Sequence, residues 1–483
     1  MEKKDLQPAS VFHYFEEVCQ VPRPSKKEEK IRAYLIDFAE KHNLEYKTDE
    51  VGNVLISKAA TPGMEDRKTV ILQSHMDMVC EKNADTEHDF DVDPIKTYID
   101  GEWLKAEGTT LGADNGIGVA TELAVLAADD IKHGPIQCLF TVDEETGLTG
   151  AFALKEGFMD GDILINLDSE DEGELFIGCA GGAGTTATYP CPMVPAPQNL
   201  YFFRVLVKGL TGGHSGDDIN KGRANANKLL NRFLMLLSDK YDLHLCEIDG
   251  GNLHNAIPRE ASAFCAVPMA HKETVRVELN IFLAEVENEY AVTEPNLLMD
   301  IESESPRAEV MEEKAMKLFL QSIYAVHNGV YAMSQDIEGL VETSSNLASV
   351  KQRDGQIVVV TSQRSSILSS RHDMSRMVQA AFELGGASVT IGDGYPGWKP
   401  NASSEILAIS VESYRKLFGE DPKIKAIHAG LECGLFLEKY PSLDMVSFGP
   451  TLRGVHSPDE RMLIPTVDKF WRHLLDVLEN IPA

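Results

Sequence analysis

Apolar residues recur along this chain with two different periods. In SVFHYFEEVCQV (10–21), Val11, Phe12, Phe15, Val18 and Cys19 share one helical face, the three-and-four spacing of an amphipathic segment. A second helix is expected to open at Ser25, with Glu28 three residues on at the capping-box spacing, and to bury Ile31, Leu35 and Phe38. Short, nearly continuous apolar runs follow: NVLIS from 53, TVILQ at 69–73, CLFTV at 138–142, ILINL at 163–167 and MVSFG at 445–449. Such runs predict strands covered on both faces. Helical stretches such as IGVATELAVLA (117–127) separate several of them. The alternation reads as an α/β catalytic domain with a largely parallel sheet and helices on both faces.

The texture changes between 187 and 398. YFFRVLVKGL predicts a strand, NANKLLNRFLMLL a helix, ASAFCAVPM a strand and VRVELNIFLAEVENEYA a helix; QIVVVTSQR and MVQAAFELGG repeat that order. Breakers mark the edges, with four prolines in YPCPMVPAPQN (189–199) and a Gly/Pro-rich GDGYPGWKPN (392–401). The chain therefore divides into a first catalytic part (1–186), an inserted α+β domain (187–398) and a second catalytic part (399–483).

At 483 residues the chain is too long for one growing core, so two domains are expected. Its 45 basic and 76 acidic residues leave a net charge of −31, which repels phosphate backbones and anionic lipid and excludes nucleic acid as a partner. No apolar run reaches a membrane span, and the charged start does not resemble a signal peptide. Eight scattered cysteines without a CxxC pair point to reduced thiols and a cytoplasmic protein.

The acids gather where the strands end. TVILQ runs into His75 and Asp77, two apart on one side of an extended segment; CLFTV runs into Asp143, Glu144 and Glu145; ILINL runs into Asp168. In an open α/β sheet, carboxyl ends of strands line the crevice where ligands bind. A glycine-rich loop, GTTLGADNGIGVA, carries Asp114 just ahead of a helix, and TLRGVHSPDE carries His456 after the last strand. Each feature alone has a plainer reading: a satisfied His-Asp pair, a solvated acidic turn, a surface loop. The glycine loop lacks the GK[ST] and GxGxxG patterns of nucleotide sites. Convergence of all five segments by accident is the harder explanation.

Two imidazoles with several carboxylates suit zinc, manganese or cobalt and divide between two ions. With a bridging carboxylate, two ions about 3.5–4 Å apart can share and acidify a water. Adjacent side chains diverge, so of Glu144 and Glu145 one can ligate metal while the other stays free as a base.

SHMDMV, LGADNGIGVA, DEETGLTGA, INLDSED and GVHSPDE, in this order, resemble the co-catalytic zinc peptidases of the aminoacylase and carboxypeptidase-G type. QVPRPSKKEEKI, GLTGGHSGDDI, GGNLHNAIPREA and HAGLECGLF are similar to that family's aminoacyl-histidine (Xaa-His) dipeptidases. The resemblance implies a two-piece catalytic domain with an inserted lid, two zinc ions (cobalt or manganese as alternatives), and hydrolysis of Xaa-His dipeptides, β-alanyl-histidine included. It assigns His75 and Asp168 to one ion, Glu145 and His456 to the other, Asp114 as bridge, Asp77 as the group orienting His75, and Glu144 as general base. In the lid it implies His214 as an oxyanion donor, in its own or a partner subunit of a homodimer, and Asn255 and Arg364 as ligands of the substrate carboxylate. Glu432 would meet the substrate's amine. A related aminoacylase, tripeptidase or carboxypeptidase shares the same metal core and stays open.

Overall fold

A computed structural model describes residues 3–483. The chain forms two compact units: Met1–Gly178 with Pro400–Ala426 and Leu431–Ala483, and Cys179–Lys399 with Ile427–Gly430. Among the described residues no helix is long and apolar enough to cross a membrane.

In unit 1, helix α1 (Ala9–Cys19) forms on the predicted face, and Val11, Phe12, Phe15 and Cys19 join one buried cluster with Ile117, Ala120 and Ala124 of a later helix. Helix α2 spans Glu29–Lys41 and buries Ile31, Leu35 and Phe38. It starts later than the capping-box spacing predicts: Glu28 precedes it without a side-chain cap, and Ser25 bonds elsewhere.

The unit 1 sheet contains strands β1 (Glu45–Thr48), β2 (Val54–Lys58) and β3 (Val70–His75). A separate hairpin follows, β4 (Thr97–Asp100) and β5 (Trp103–Ala106), and then helix α3 (Ala113–Ala127). The main sheet continues with β6 (Ile136–Thr141), β7 (Ile163–Asn166), β8 (Glu174–Cys179), Lys423–Ile427 and Asp444–Ser447. Its order is β1, β2, β6, β3, β7, Asp444–Ser447, β8, Lys423–Ile427. The four inner strands β6, β3, β7 and Asp444–Ser447 run parallel, while β1, β2 and β8 pair antiparallel outside them. Burial explains the division: all six residues of β3 are buried, whereas the four of β1 are exposed.

Parallel register brings the chemistry to one edge. His75 pairs with Thr141 and Gln73 with Asn166, so β3, β6 and β7 release their following loops side by side. A smaller four-stranded sheet, in the order Leu452–Arg453, Arg461–Leu463, β5, β4, holds the hairpin whose loop contains His456.

Unit 2 is α+β, as expected of the insertion. Its sheet is antiparallel throughout: Leu298–Ser303, Leu200–Lys208, Ala261–Pro268, His244–Gly250, Val341–Arg353, Gln356–Ser365, Gly181–Pro190 and Ser388–Ile391 follow one another, with Gly329–Met333 beside Val341–Arg353. Helices Ala226–Lys240, Lys272–Glu289, Glu313–Ala325 and Leu368–Leu384 all contribute to its main core. The unit begins ahead of the 187 boundary read from the sequence, because Gly181–Pro190 is a strand of its sheet. The proline-rich run lies inside the unit, where Met193–Pro195 pairs with Glu309–Met311 in a two-stranded ribbon that tolerates the missing N–H donor.

Candidate metal centre

Five loops converge in unit 1. Asp114 stands between the two imidazoles, with Oδ1 3.1 Å from His75 Nε2 and Oδ2 3.2 Å from His456 Nε2. Glu145 Oε2 lies 3.0 Å from His456 Nε2, and Asp168 Oδ1 lies 3.4 Å from His75 Nε2. His75, Asp114, Glu145, Asp168 and His456 are therefore neighbours, drawn from sequence positions up to 381 residues apart (456 − 75).

Asp77 lies behind His75. Its Oδ1 accepts from His75 Nδ1 (3.2 Å) and from the Glu144 N–H (3.1 Å); its Oδ2 accepts from Ser25 Oγ (2.7 Å) and the Glu145 N–H (3.4 Å). The Asp77 carboxylate accepts from Nδ1, so Nε2 is the ring atom of His75 that is turned toward Asp114 and Asp168.

The acidic triplet divides by direction. Asp143, with φ +49, turns away and accepts from the hydroxyls of Thr146 and Thr149. Its N–H donates to Glu28 Oε1 (3.1 Å). Glu145 joins the imidazoles, while Glu144 sits in the electrostatic field of His75, Asp168, Glu432 and Glu145.

Excess negative charge in a buried place sets the proton affinities. Burial, then Asp168, Glu432 and Glu145, raises the Glu144 carboxyl well above its ordinary range, with His75 opposing. Burial likewise pushes Asp168 up to about 7 and Glu432 up to about 8. Against burial, His456 and His75 hold Asp114 below the usual carboxylate range. Burial works against charge on His75, but Asp168, Asp114 and Asp77 raise it well above 6.5; Asp114 and Glu145 bring His456 to about 11.

Two acidic groupings exist here, and they differ in whether they are satisfied. Glu28, Asp77 and Asp143 lie within reach of one another, but backbone N–H groups and hydroxyls of Ser25, Thr146 and Thr149 already donate to them. His75, Asp114 and Glu145 place ligand atoms within 4.8 Å of one another. Beside them, Glu145 Oε1 is buried with no hydrogen-bond partner, and buried Asp168 Oδ1 has only the long 3.4 Å approach of His75 Nε2. Buried polar atoms left without donors are costly, and mixed imidazole and carboxylate atoms suit divalent transition cations. The residues present fit a metal centre.

Residues 71–480 match the family model described as Peptidase family M20/M25/M40. The chain belongs to this family. It is a hydrolase, a metallopeptidase homologous to dipeptidases. It is 44% identical over 482 residues to the cytosol non-specific dipeptidase of Escherichia coli (strain K12), covering 100% of this chain and 99% of the relative. The crystal structure of the aminoacylhistidine dipeptidase from Vibrio alginolyticus is 46% identical, with a TM-score of 0.93 over 100% of this chain and 98% of that one. A Staphylococcus aureus tripeptidase, 17% identical with a TM-score of 0.57 over 99% of each chain, shares the fold.

Glu432 is buried at the start of the helix Glu432–Lys439. Its Oε2 accepts from Gln73 Nε2 (2.6 Å) and Thr141 Oγ1 (2.8 Å), and its Oε1 has no partner. Gln73 also accepts from Asn166, which accepts from Ser447, so a buried polar chain crosses the inner strands.

Within unit 2, His214 Nε2 lies 3.3 Å from Arg364 Nη2, and Arg364 Nη1 donates to the Tyr395 hydroxyl at 3.2 Å. Asn255 adjoins this group through the pairing of Gly213–His214 with Ala256–Ile257, and its carbonyl accepts from the Ser215 N–H (2.8 Å). Buried His428, whose Nε2 lies 2.8 Å from Ser344 Oγ, feels the charges of Arg364, Asp217 and His214, and burial lowers it to about 3.

Several of these residues were not foreseen. Arg23 is 2% exposed; its guanidinium donates to Asp77 O (2.7 Å), to Met76 O (3.3 Å) and to Gly112 O. Ser25 and Glu28, read as a helix cap, instead hold Asp77 and the Asp143 backbone. Tyr395 sits in the Gly/Pro-rich segment taken for a linker; a Cβ on Gly182 would lie 2.8 Å from its ring. The glycines of CAGGAG were the available signal.

Proposed function

We propose that the chain is a two-metal dipeptidase that cleaves dipeptides with a free amino end, Xaa-His dipeptides and β-alanyl-histidine among them. The observation carrying this reading is Asp114, which presents one carboxylate oxygen to each imidazole. His75 and Asp168 would hold one cation, Glu145 and His456 the other, with Asp114 shared. The donor set admits zinc, cobalt or manganese alike, and zinc is the ion that the family resemblance implies. When bound, such ions supply Lewis acidity at the scissile carbonyl and lower the pKa of an attacking water.

The chain's own groups do the rest. Glu144 takes the proton of the attacking water and returns it to the leaving amine. Asp77 fixes the ring of His75 and, through the two N–H groups it accepts, the backbone on which Glu144 and Glu145 stand. Glu432, with one unpartnered buried oxygen, would pair with the substrate's amine.

In unit 2, Arg364 and Asn255 would bind the substrate carboxylate, Arg because its planar fork matches that group, and His214 would donate to the oxyanion. The enzyme would act as a cytoplasmic homodimer on a small peptide, with neither nucleic acid nor membrane as partner. The names of the two similar full-length proteins agree on dipeptide hydrolysis.

They differ in breadth, and the Escherichia coli relative's name favours a second reading, a dipeptidase of wide specificity. Rates on Xaa-His dipeptides, other dipeptides, tripeptides and N-acylated amino acids separate the alternatives. Preference for Xaa-His dipeptides supports the narrow reading, and equal rates across dipeptides support the wide one. Faster cleavage of tripeptides or acylated amino acids contradicts both.

A further inference from the structure

The loop that carries Asp114 is held by a side chain from the opposite end of the sequence. Glu460 is 2% exposed, and its carboxylate accepts four backbone N–H bonds: Oε2 from Leu111 (2.8 Å) and Gly112 (2.9 Å), Oε1 from Ala113 (2.8 Å) and Asp114 (3.3 Å). Successive N–H groups pointing at one anion form a nest, here just ahead of the regular turns of α3, since Asp114 and Asn115 have non-helical φ/ψ. Gly112 makes the nest possible. Its φ is +67, and a Cβ there would lie 2.6 Å from Arg23 Nη2.

The two faces of this loop are gripped separately, since Arg23 donates to the Gly112 carbonyl while Glu460 takes the N–H groups. Glu460 also shares its hairpin loop with His456, four residues earlier, between strands Leu452–Arg453 and Arg461–Leu463. That loop is internally braced, with Ser457 Oγ donating to Gly454 O (2.6 Å) and the Glu460 N–H to Ser457 O (3.0 Å). One rigid hairpin thus delivers His456 to Asp114 and grips the backbone on which Asp114 stands.

We propose that Glu460 is a positioning residue for the metal centre: by binding the 111–114 backbone it fixes the Asp114 carboxylate between His75 and His456, so that cation affinity depends on it though it touches no cation. This rests on the reading of Asp114 as the shared ligand. An amide in place of the carboxylate keeps the size but turns an NH2 group toward N–H donors, leaving part of the nest without an acceptor. An aspartate keeps the charge on a shorter arm.

The test is cobalt binding by metal-free Glu460→Gln, Glu460→Asp, Asp114→Ala and the unchanged protein, followed by titration calorimetry and visible absorption, with thermal melting of each metal-free protein alongside. Glu460→Gln is expected to bind cobalt about 10–100-fold more weakly, as when a group orienting a ligand is removed, with an altered absorption band. Glu460→Asp should fall in between, and it carries the test if the Gln variant does not fold. A residue with only a structural role would lower the melting temperature of the metal-free protein and leave the affinity and spectrum of the folded protein unchanged. That result, or unchanged behaviour throughout, overturns the proposal while Asp114→Ala still loses cobalt. If Asp114→Ala binds cobalt as the unchanged protein does, the shared-ligand reading fails and the proposal with it.

Discussion

Asp77 is the residue on which the geometry of the centre turns. It accepts from the His75 ring, from Ser25 and from the N–H groups of Glu144 and Glu145, so one buried carboxylate orients an imidazole and the segment bearing two further acids. Ionic charge is part of this arrangement, since the hydrogen bonds to His75 and Ser25 hold its pKa down against burial. Asn in its place would put an NH2 group toward donors and leave the His75 proton without a carboxylate. Asp77→Asn is expected to weaken metal binding about 10–100-fold, read by competition with a chelator. Equal affinity in the variant would show that the ring needs no such partner. The two-apart spacing of His75 and Asp77 was legible in the sequence because a strand places alternate residues on one side. Four simultaneous bonds to Asp77 were not, because three of the donors lie on other loops.

The same limit explains what the elements concealed. Strand ends were legible, since short apolar runs such as Val70–Leu72 show where a buried strand gives way to polar residues. Ser25 and Glu28 were misread because a helix cap and a loop clamp place the same residue types at the same spacing; only the fold shows that α2 starts at Glu29. Glu460 was not singled out, for want of any local signal that distant N–H groups would meet it. The glycine loop is a further test at this level. Gly112→Ala needs a side chain at φ +67 against Arg23 and should cost about 1–3 kcal/mol in denaturant unfolding of the metal-free protein.

Helix α3 makes a second demand on stability. Glu122 is fully buried, and burial raises its pKa well above 4.5 against the opposing effect of the Ser74 hydroxyl and the Cys138 thiol beside it. A carboxyl whose pKa rises on folding contributes stability that is complete below its unfolded value and is lost as pH rises through the folded one. Glu122→Gln should therefore flatten the fall in melting temperature above pH 4.5, and an unchanged slope would remove Glu122 from the account.

For the molecule as a whole, the division of labour follows from chain topology. Unit 1 is built from Met1–Gly178, Pro400–Ala426 and Leu431–Ala483, so the imidazoles of His75 and His456 come from distant parts of the sequence and meet only when both parts have folded. Unit 2 is a continuous stretch plus Ile427–Gly430, a return that no composition change announces, and it brings His428 to Ser344 within that unit. The proposed chemistry requires that unit 1 hold two cations with Glu144 free as the base. Its most direct measurement is β-alanyl-histidine hydrolysis by metal-free protein as zinc is returned stepwise, with Glu144→Gln in parallel and bound metal counted in both. No turnover is expected without metal, with recovery complete at two ions per chain and a Glu144→Gln protein that binds the same two ions yet turns over at least about 100-fold more slowly. Turnover of the fully loaded variant within about tenfold of the unchanged enzyme would contradict that chemistry.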